Sequence, residues 1–219
     1  MDNPSVTDKV DGASLGRFDM LIDARSPGEF AEDHLPGAVN LPVLDDAERA
    51  LVGTTYVQKS RFLARRMGAA LVARNVARHL DTALADKGSD FRPLVYCWRG
   101  GQRSGSMALI LAQVGWRTTV LQGGYRTYRR DVQKRLYEDQ LAQRLVLLEG
   151  GTGTAKTAIL NRVRDLGGQA IDLEALARHR GSLFGAMQGE AQPSQKWFES
   201  CLMEELGRMD ASRPVLVEA

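Results

Sequence analysis

The stretch Pro93–Trp116, "PLVYCWRGGQRSGSMALILAQVGW", decides the fold. It opens as a short apolar, β-rich run and ends on a cysteine. A glycine-containing loop follows, Trp98–Gln102, and then an apolar helix from near Ser104 to Gly115. A strand that runs through a tight loop into a helix is the unit of a parallel α/β sheet. Further units lie on either side. Upstream, "MLIDARSPGEF" reads as a strand over Met20–Asp23 and a helix opened by Ser26-Pro27, with Glu29 in its first turn. "LPGAVNLP" adds a turn, a brief extended piece and a stop at Pro42. An Arg-rich helical pattern with a break covers about Gln58–Asp86. Downstream, "TTVL" is a strand and "QGGYRTYRRDVQKRL" a turn followed by a basic helix. A second unit begins near Arg144. "LVLLEGGTGTAKTAIL" is again strand, glycine loop and helix, "GQAIDLE" a strand, Gln195–Met209 a helix and "RPVLVEA" a final strand. The expected organisation is a first parallel-sheet domain over residues 1–140 and an α/β domain over 141–219. Ending on a buried-type strand marks the second domain as truncated, since a helix should follow and return to the sheet.

The chain has 219 residues, 43% hydrophobic and 26% charged, as a globular protein does. Its two cysteines cannot build a disulfide framework. With no signal peptide at the start, the cytoplasm is the expected compartment. No apolar run reaches the roughly 20 residues of a membrane span. The net charge of +2 says little, but Arg99–Arg135 holds eight basic residues against one acid, Asp131. That field suits a phosphate-rich partner; a solvated helix face is the plain alternative.

Cys97 stands at the carboxyl end of its strand, where ligands of open α/β sheets bind. Gly100 and Gly101 allow the backbone N–H groups of Trp98, Arg99 and Gln102 to turn inward as an anion nest beside a helix N-terminus. Such a field favours a thiolate nucleophile, and Arg103 would stabilise an anion in the same cup. The alternative is a buried cysteine that merely packs. Two chemistries fit Cys97-x5-Arg103-Ser104: attack on a phosphoryl group, as in a phosphatase loop, or carriage of a terminal chalcogen, as in a rhodanese. Upstream, Asp23, Arg25, Glu29, Phe30, His34, Gly37, Ala38, Asn40 and Pro42 fall in register with the first signature of the rhodanese family, which this region resembles. His34 reads as structural within that signature. The chain offers no histidine before Cys97 in the loop and no identifiable general-acid aspartate.

The second loop, "GGTGTAKT", nearly fits the phosphate-binding pattern G-x4-G-K-[ST]. Gly150, Gly151, Thr152, Gly153 and Thr154 would cradle phosphate oxygens, Lys156 would pair with them and Thr157 would hold Mg²⁺. Ala155 stands where the pattern has glycine, and Glu218 is placed to take the acidic role on the last strand. A tight turn without a ligand is the alternative.

The words "YCWRGGQRS", "LQGGYRTYR", "LEGGTGTAKT", "DLEALARHRGSLFG" and "QPSQKWFE" together resemble the tRNA 2-selenouridine synthase family, a rhodanese-like domain followed by a P-loop NTPase-like domain. The resemblance runs from about Ser5 to Ala219, and family members continue well beyond that point. It implies a transferase that replaces sulfur by selenium in the wobble 2-thiouridine of tRNA. Selenophosphate is the implied donor, an S-geranyl intermediate made from geranyl diphosphate is implied as well, and a selenophosphate-supplying enzyme is an implied partner. A rhodanese-type sulfurtransferase or a Cys-x5-Arg phosphatase with an accessory P-loop domain is the alternative. On this reading Cys97 carries selenium, and neither a tightly bound cofactor nor a metal site of its own is expected. Arg180 and Phe184 in "HRGSLFG" would contact a prenyl diphosphate. Arg126, Arg129 and Arg130 would meet tRNA phosphates. Trp98, Tyr125 and Tyr128 would either stack on a splayed base or pack into the fold.

Overall fold

A computed structural model describes residues 3–151, 153–179 and 191–218 of the chain. The chain divides into two units, the first running to Asp131 and the second starting at Val132. In the first unit the elements follow in order as β1 (Ser5–Thr7), α1 (Gly12–Leu15), β2 (Met20–Asp23), α2 (Pro27–Glu32), β3 (Val39–Asn40), α3 (Asp46–Gln58) and α4 (Arg61–Asp81). After these come β4 (Pro93–Tyr96), α5 (Gln102–Gln113) and β5 (Thr119–Leu121), and then α6 (Tyr125–Gln133) crosses the boundary and leads into a π-helical turn of the second unit at Lys134–Glu138. The strands form a five-stranded sheet in the order β1-β5-β4-β2-β3. Every pairing is parallel. β4 is the middle strand and all of its residues are buried. Central parallel strands are covered on both faces, which is why "PLVY" reads as a continuous apolar run.

The core lies between this sheet and its helices. Ile22, Val43, Val95 and Val120 meet Met107, Ala108 and Leu111 of α5 and Val72 and Val76 of α4. α5 buries Met107, Ala108, Leu111 and Ala112, a single stripe at helical spacing. A fully buried Leu such as Leu111 contributes about 1.5–3 kcal/mol.

The helical region expected at Gln58–Asp86 begins earlier and is two helices. Asp45 starts α3, accepting from the Glu48 N–H at 2.7 Å while the Glu48 carboxylate accepts from the Asp45 N–H at 3.0 Å. This reciprocal capping box satisfies free donors of the first turn. Lys59 and Ser60 interrupt the helices, and the Ser60 hydroxyl accepts from the Leu63 N–H at 3.3 Å to open α4.

The second unit contains β6 (Leu145–Leu148), α7 (Lys156–Asp165), β7 (Gln169–Ile171), α8 (Leu173–Ala177), α9 (Gln195–Arg208) and β8 (Val215–Glu218). Its three strands lie in the order β6-β8-β7, all parallel. "GQAIDLE" is therefore only partly strand. The Asp172 carboxylate accepts from the Ala175 N–H at 2.8 Å and starts α8 directly after Ile171. Ile171, Leu206, Val215 and Val217 make the centre of this unit's core. Among the described residues no helix is long and apolar enough to cross a membrane.

Candidate functional site

Cys97 follows the buried central strand β4 and is 3% exposed. The Ser104 hydroxyl, one turn into α5, donates to its Sγ at 3.2 Å. The Cys97 carbonyl accepts from the Tyr125 N–H at 2.8 Å, and the Trp98 carbonyl from the Arg126 N–H at 3.2 Å. The loop after β4 is thus laced by its backbone to the loop after β5. Glycine makes that approach possible. Gly100 has φ of +63°, and a Cβ there would lie 2.6 Å from the Leu121 carbonyl oxygen. Gly124 has φ of +59°, and a Cβ there would collide with the Cys97 carbonyl oxygen. The two interlocked loops form the cup that holds Cys97, with the first turn of α5 beside its sulfur, and a helix N-terminus is a setting that suits an anion.

Arg103 makes a contact that its spacing does not predict. Its Nη1 donates to Glu29 Oε2 at 2.7 Å and its Nη2 to Oε1 at 3.4 Å. Arg49 Nε meets the same carboxylate at 3.1 Å. Burial opposes charge on Glu29, yet the hydrogen bond and charge of Arg103, aided by Arg49, outweigh it and hold the carboxyl below its usual range. Arg103 is therefore committed to an ionised partner from α2. Of the loop residues, Arg99, Gly101 and Gln102 are exposed and Trp98 is half-buried.

A buried polar platform supports the cup. Arg25, 1% exposed, forks onto Asp23 with contacts of 3.0 and 2.6 Å and donates to the Asp33 carbonyl at 2.6 Å. Its guanidinium lies 4.1 Å from the ring centroid of Tyr125. The Tyr125 hydroxyl donates to Asp33 Oδ2 at 2.6 Å. Burial, and then the Asp33 carboxylate, push that phenol far above its ordinary range. Tyr125 and Tyr128 are thus interior residues, 3% and 5% exposed, and do not present their faces to a base. Their aromatic spacing along a helix served packing. Arg126 and Arg130 are exposed on α6 and Arg129 is half-buried. His34 is stacked on Phe30 at 3.7 Å between centroids, with Nδ1 2.9 Å from the Phe30 carbonyl oxygen, in keeping with a structural residue.

Sequence reasoning took "QGGY" for a turn and missed that Gly124 and Tyr125 complete the cup. Paired glycines straight after a strand, where another loop must pass, were the available signal.

In the second unit the chain leaves β6 through Glu149–Ala155 and enters α7 at Lys156. Gly153 has φ of +82° and Ala155 has φ of +61°. The Thr154 hydroxyl donates to the Gly151 carbonyl at 2.7 Å. Lys156 Nζ donates to the Gly150 carbonyl at 2.6 Å and lies 3.6 Å from Glu218 Oε1. Parallel pairing puts Glu218 opposite Leu148, beside the start of the loop. Glu218 is 4% exposed, and among the described residues its Oε2 has no hydrogen-bond partner. Burial, then the charges of Glu174 and Asp172, raise its carboxyl above the usual value. Gly150, Gly151, Gly153, Thr154, Lys156 and Thr157 are thus gathered in one strand–loop–helix turn. Thr152, Arg180 and Phe184 lie outside the described residues.

Comparison with known proteins assigns both units. Residues 7–131 match the rhodanese-like domain family and residues 143–219 match the tRNA 2-selenouridine synthase AAA domain. The tRNA 2-selenouridine synthase of Nitrosomonas europaea is 39% identical over 202 residues, which is 90% of this chain and 52% of that protein. That of Bdellovibrio bacteriovorus is 39% identical over 85% of this chain and 48% of its own length. That of Nitrosomonas eutropha is 35% identical over 100% of this chain and 57% of its own length. The chain therefore spans about half the length of these curated relatives. Carrying a rhodanese-like domain joined to that AAA domain, the chain belongs to the tRNA 2-selenouridine synthase family.

Proposed function

We propose that this chain is the chalcogen-handling part of a cytoplasmic tRNA-modifying transferase that replaces sulfur by selenium in wobble 2-thiouridine, with selenophosphate as donor and an S-geranylated tRNA as intermediate. The observation that carries the proposal is the seat of Cys97. It lies in a glycine-built cup, with the Ser104 hydroxyl on its sulfur and a helix N-terminus alongside. A thiolate is both a nucleophile and a leaving group, which is what a carrier of a transferable chalcogen requires. The phosphatase alternative is less well supported, because Arg103 is held by Glu29.

The loop Gly150–Thr157 takes the diphosphate of the geranyl donor in this reading, with Lys156 exchanging the Gly150 carbonyl for phosphate oxygens. Thr157 and Glu218 would hold Mg²⁺, and the buried Oε2 of Glu218, without a hydrogen-bond partner among the described residues, fits such a role. The ion, when bound, supplies charge neutralisation of the diphosphate. Exposed Arg126 and Arg130, with Arg129, serve tRNA phosphates.

Cys97→Ser is expected to abolish selenium incorporation into 2-thiouridine tRNA, read by nucleoside mass spectrometry, while the fold melts as before. Serine at wild-type rate ends the carrier role. Lys156→Ala is expected to block geranylation yet spare selenation of tRNA already geranylated. Parallel titrations with ATP, GTP and geranyl diphosphate check the ligand. Tight Mg²⁺-dependent nucleotide binding lost in Lys156→Ala, with geranyl diphosphate binding untouched, assigns the loop to a nucleotide.

A further inference from the structure

The helical pair α3–α4 lies outside the cup, yet its second helix carries a long run of positive charge. From Arg61 to Leu80 there are five arginines, Arg61, Arg65, Arg66, Arg74 and Arg78, and no acidic residue. Among the described residues no ion pair reaches Arg65, Arg66 or Arg74. The tip of the same hairpin is apolar and exposed. Val57 is 83%, Phe62 75% and Tyr56 42% exposed, and the Arg61 guanidinium lies 5.6 Å from the Tyr56 ring centroid. A solvated charged face accounts for arginines; it does not account for an exposed phenylalanine and tyrosine among them.

A groove of about 520 Å³ begins at this tip. Tyr56, Arg65, Val52, Val72, Gln102 and Arg103 are among the residues that line it. Gln102 and Arg103 form the first turn of α5, directly after the Cys97 loop. The groove therefore joins the aromatic, arginine-rich tip to the helix that starts at the cup. Gly53 and Gly68 also line it, and a Cβ at Gly53 would meet nothing within 4 Å, so the passage is open there.

We propose that this groove and hairpin tip form a docking surface for an unpaired RNA loop, its phosphates on Arg61, Arg65 and Arg66 and its bases stacked on Phe62 and Tyr56. Interleaved arginines and exposed aromatics are what single-stranded RNA requires, since every base has a stacking face and every linkage a negative charge. A duplex, with its bases enclosed, can use only the arginines. The surface is separate from Arg126, Arg129 and Arg130 on α6, and it rests on the reading of tRNA as the substrate.

The test compares binding of the chain to a stem–loop RNA and to a blunt duplex of equal phosphate count, across a salt series. Phe62→Ala combined with Tyr56→Ala is expected to weaken the stem–loop about tenfold and leave the duplex unchanged. Arg65→Gln combined with Arg66→Gln is expected to lower the log–log salt slope by about 1.4 for the stem–loop. These side chains are exposed or line an open groove, and a circular dichroism melt alongside confirms that each variant is folded. Stem–loop binding that neither pair of substitutions changes overturns the docking surface and leaves the tRNA reading standing. Equal losses on stem–loop and duplex overturn the stacking role. A change in the chain's sedimentation, with RNA affinity intact, identifies the tip as a protein interface and also overturns the proposal. Failure of the unmodified chain to bind either RNA removes the tRNA reading, and this surface with it.

Discussion

The two glycine loops are built on the same plan, strand to loop to helix, and they are held in opposite ways. The Cys97 loop leaves the fully buried central strand β4 and is braced by a second loop through the bonds Tyr125 N–H to Cys97 O and Arg126 N–H to Trp98 O. The Gly150–Thr157 loop leaves β6, an edge strand on which Leu145, Val146 and Leu147 are 39%, 43% and 61% exposed. Among the described residues its hydrogen bonds are local, Thr154 to Gly151 and Lys156 to Gly150, and the Lys156–Glu218 ion pair ties it to β8. It also holds Ala155 in the left-handed region, where a Cβ costs about 1–2 kcal/mol. The first loop is preorganised by its neighbours. The second is held by the lysine that a ligand would recruit. Preorganisation suits a residue that must keep a reactive atom in place, and a self-satisfied loop suits one that exchanges its own contacts for those of a phosphate.

The largest expected effect breaks the first side of that contrast. Gly124→Ala forces a side chain into the Cys97 carbonyl at a positive φ. Overpacking and left-handed strain together should destabilise the first unit by about 3 kcal/mol or more, read as a drop in its urea midpoint. Melting together with the parent chain would show that the two loops are not interlocked.

A smaller effect concerns Glu218. Burial first, and then Glu174 and Asp172, raise its folded-state pKa above the ordinary 4.5, so the folded chain holds this proton more firmly than the unfolded one. The contribution to stability is full below the unfolded value and is lost as pH rises through the folded one. The second unit should therefore lose stability upward from about pH 4.5, and Glu218→Gln should flatten that slope. Parallel pH profiles of parent and variant would place the buried acid's cost elsewhere.

The smallest effect sharpens the comparison. Ala155→Gly relieves the left-handed strain and should stabilise the second unit by up to about 1 kcal/mol, part of the relief being offset by the greater freedom of glycine in the unfolded chain. A loss of stability would mean that the alanine methyl makes a contact worth more than its strain.

How far the sequence could be read followed the range of the interactions. Strand β2 was legible at its own boundaries, Met20–Asp23, because an apolar run flanked by a helix start is a local signal. The position of Cys97 at a strand end was legible for the same reason. Arg103 was not, since its partner Glu29 lies 74 residues away and both belong to motifs that make sense alone. Tyr125 and Tyr128 stayed ambiguous because aromatic residues among arginines look alike whether they stack on a base or pack beside Arg25. β1, only Ser5–Thr7, shows no periodicity of its own and exists through its pairing with β5.

Trp98 gives the cup an optical consequence. Of the chain's three tryptophans it is the one next to Cys97, half-buried at the rim with its ring 5.2 Å from that of Tyr125. Trp116 is interior and bonded to the Gly88 carbonyl, and Trp197 belongs to α9 in the other unit. Selenium bound on the thiol would set a heavy atom beside the Trp98 indole, and heavy atoms drain fluorescence into the triplet state. On the proposed reading, the emission of Trp98 would therefore report whether the thiol is loaded.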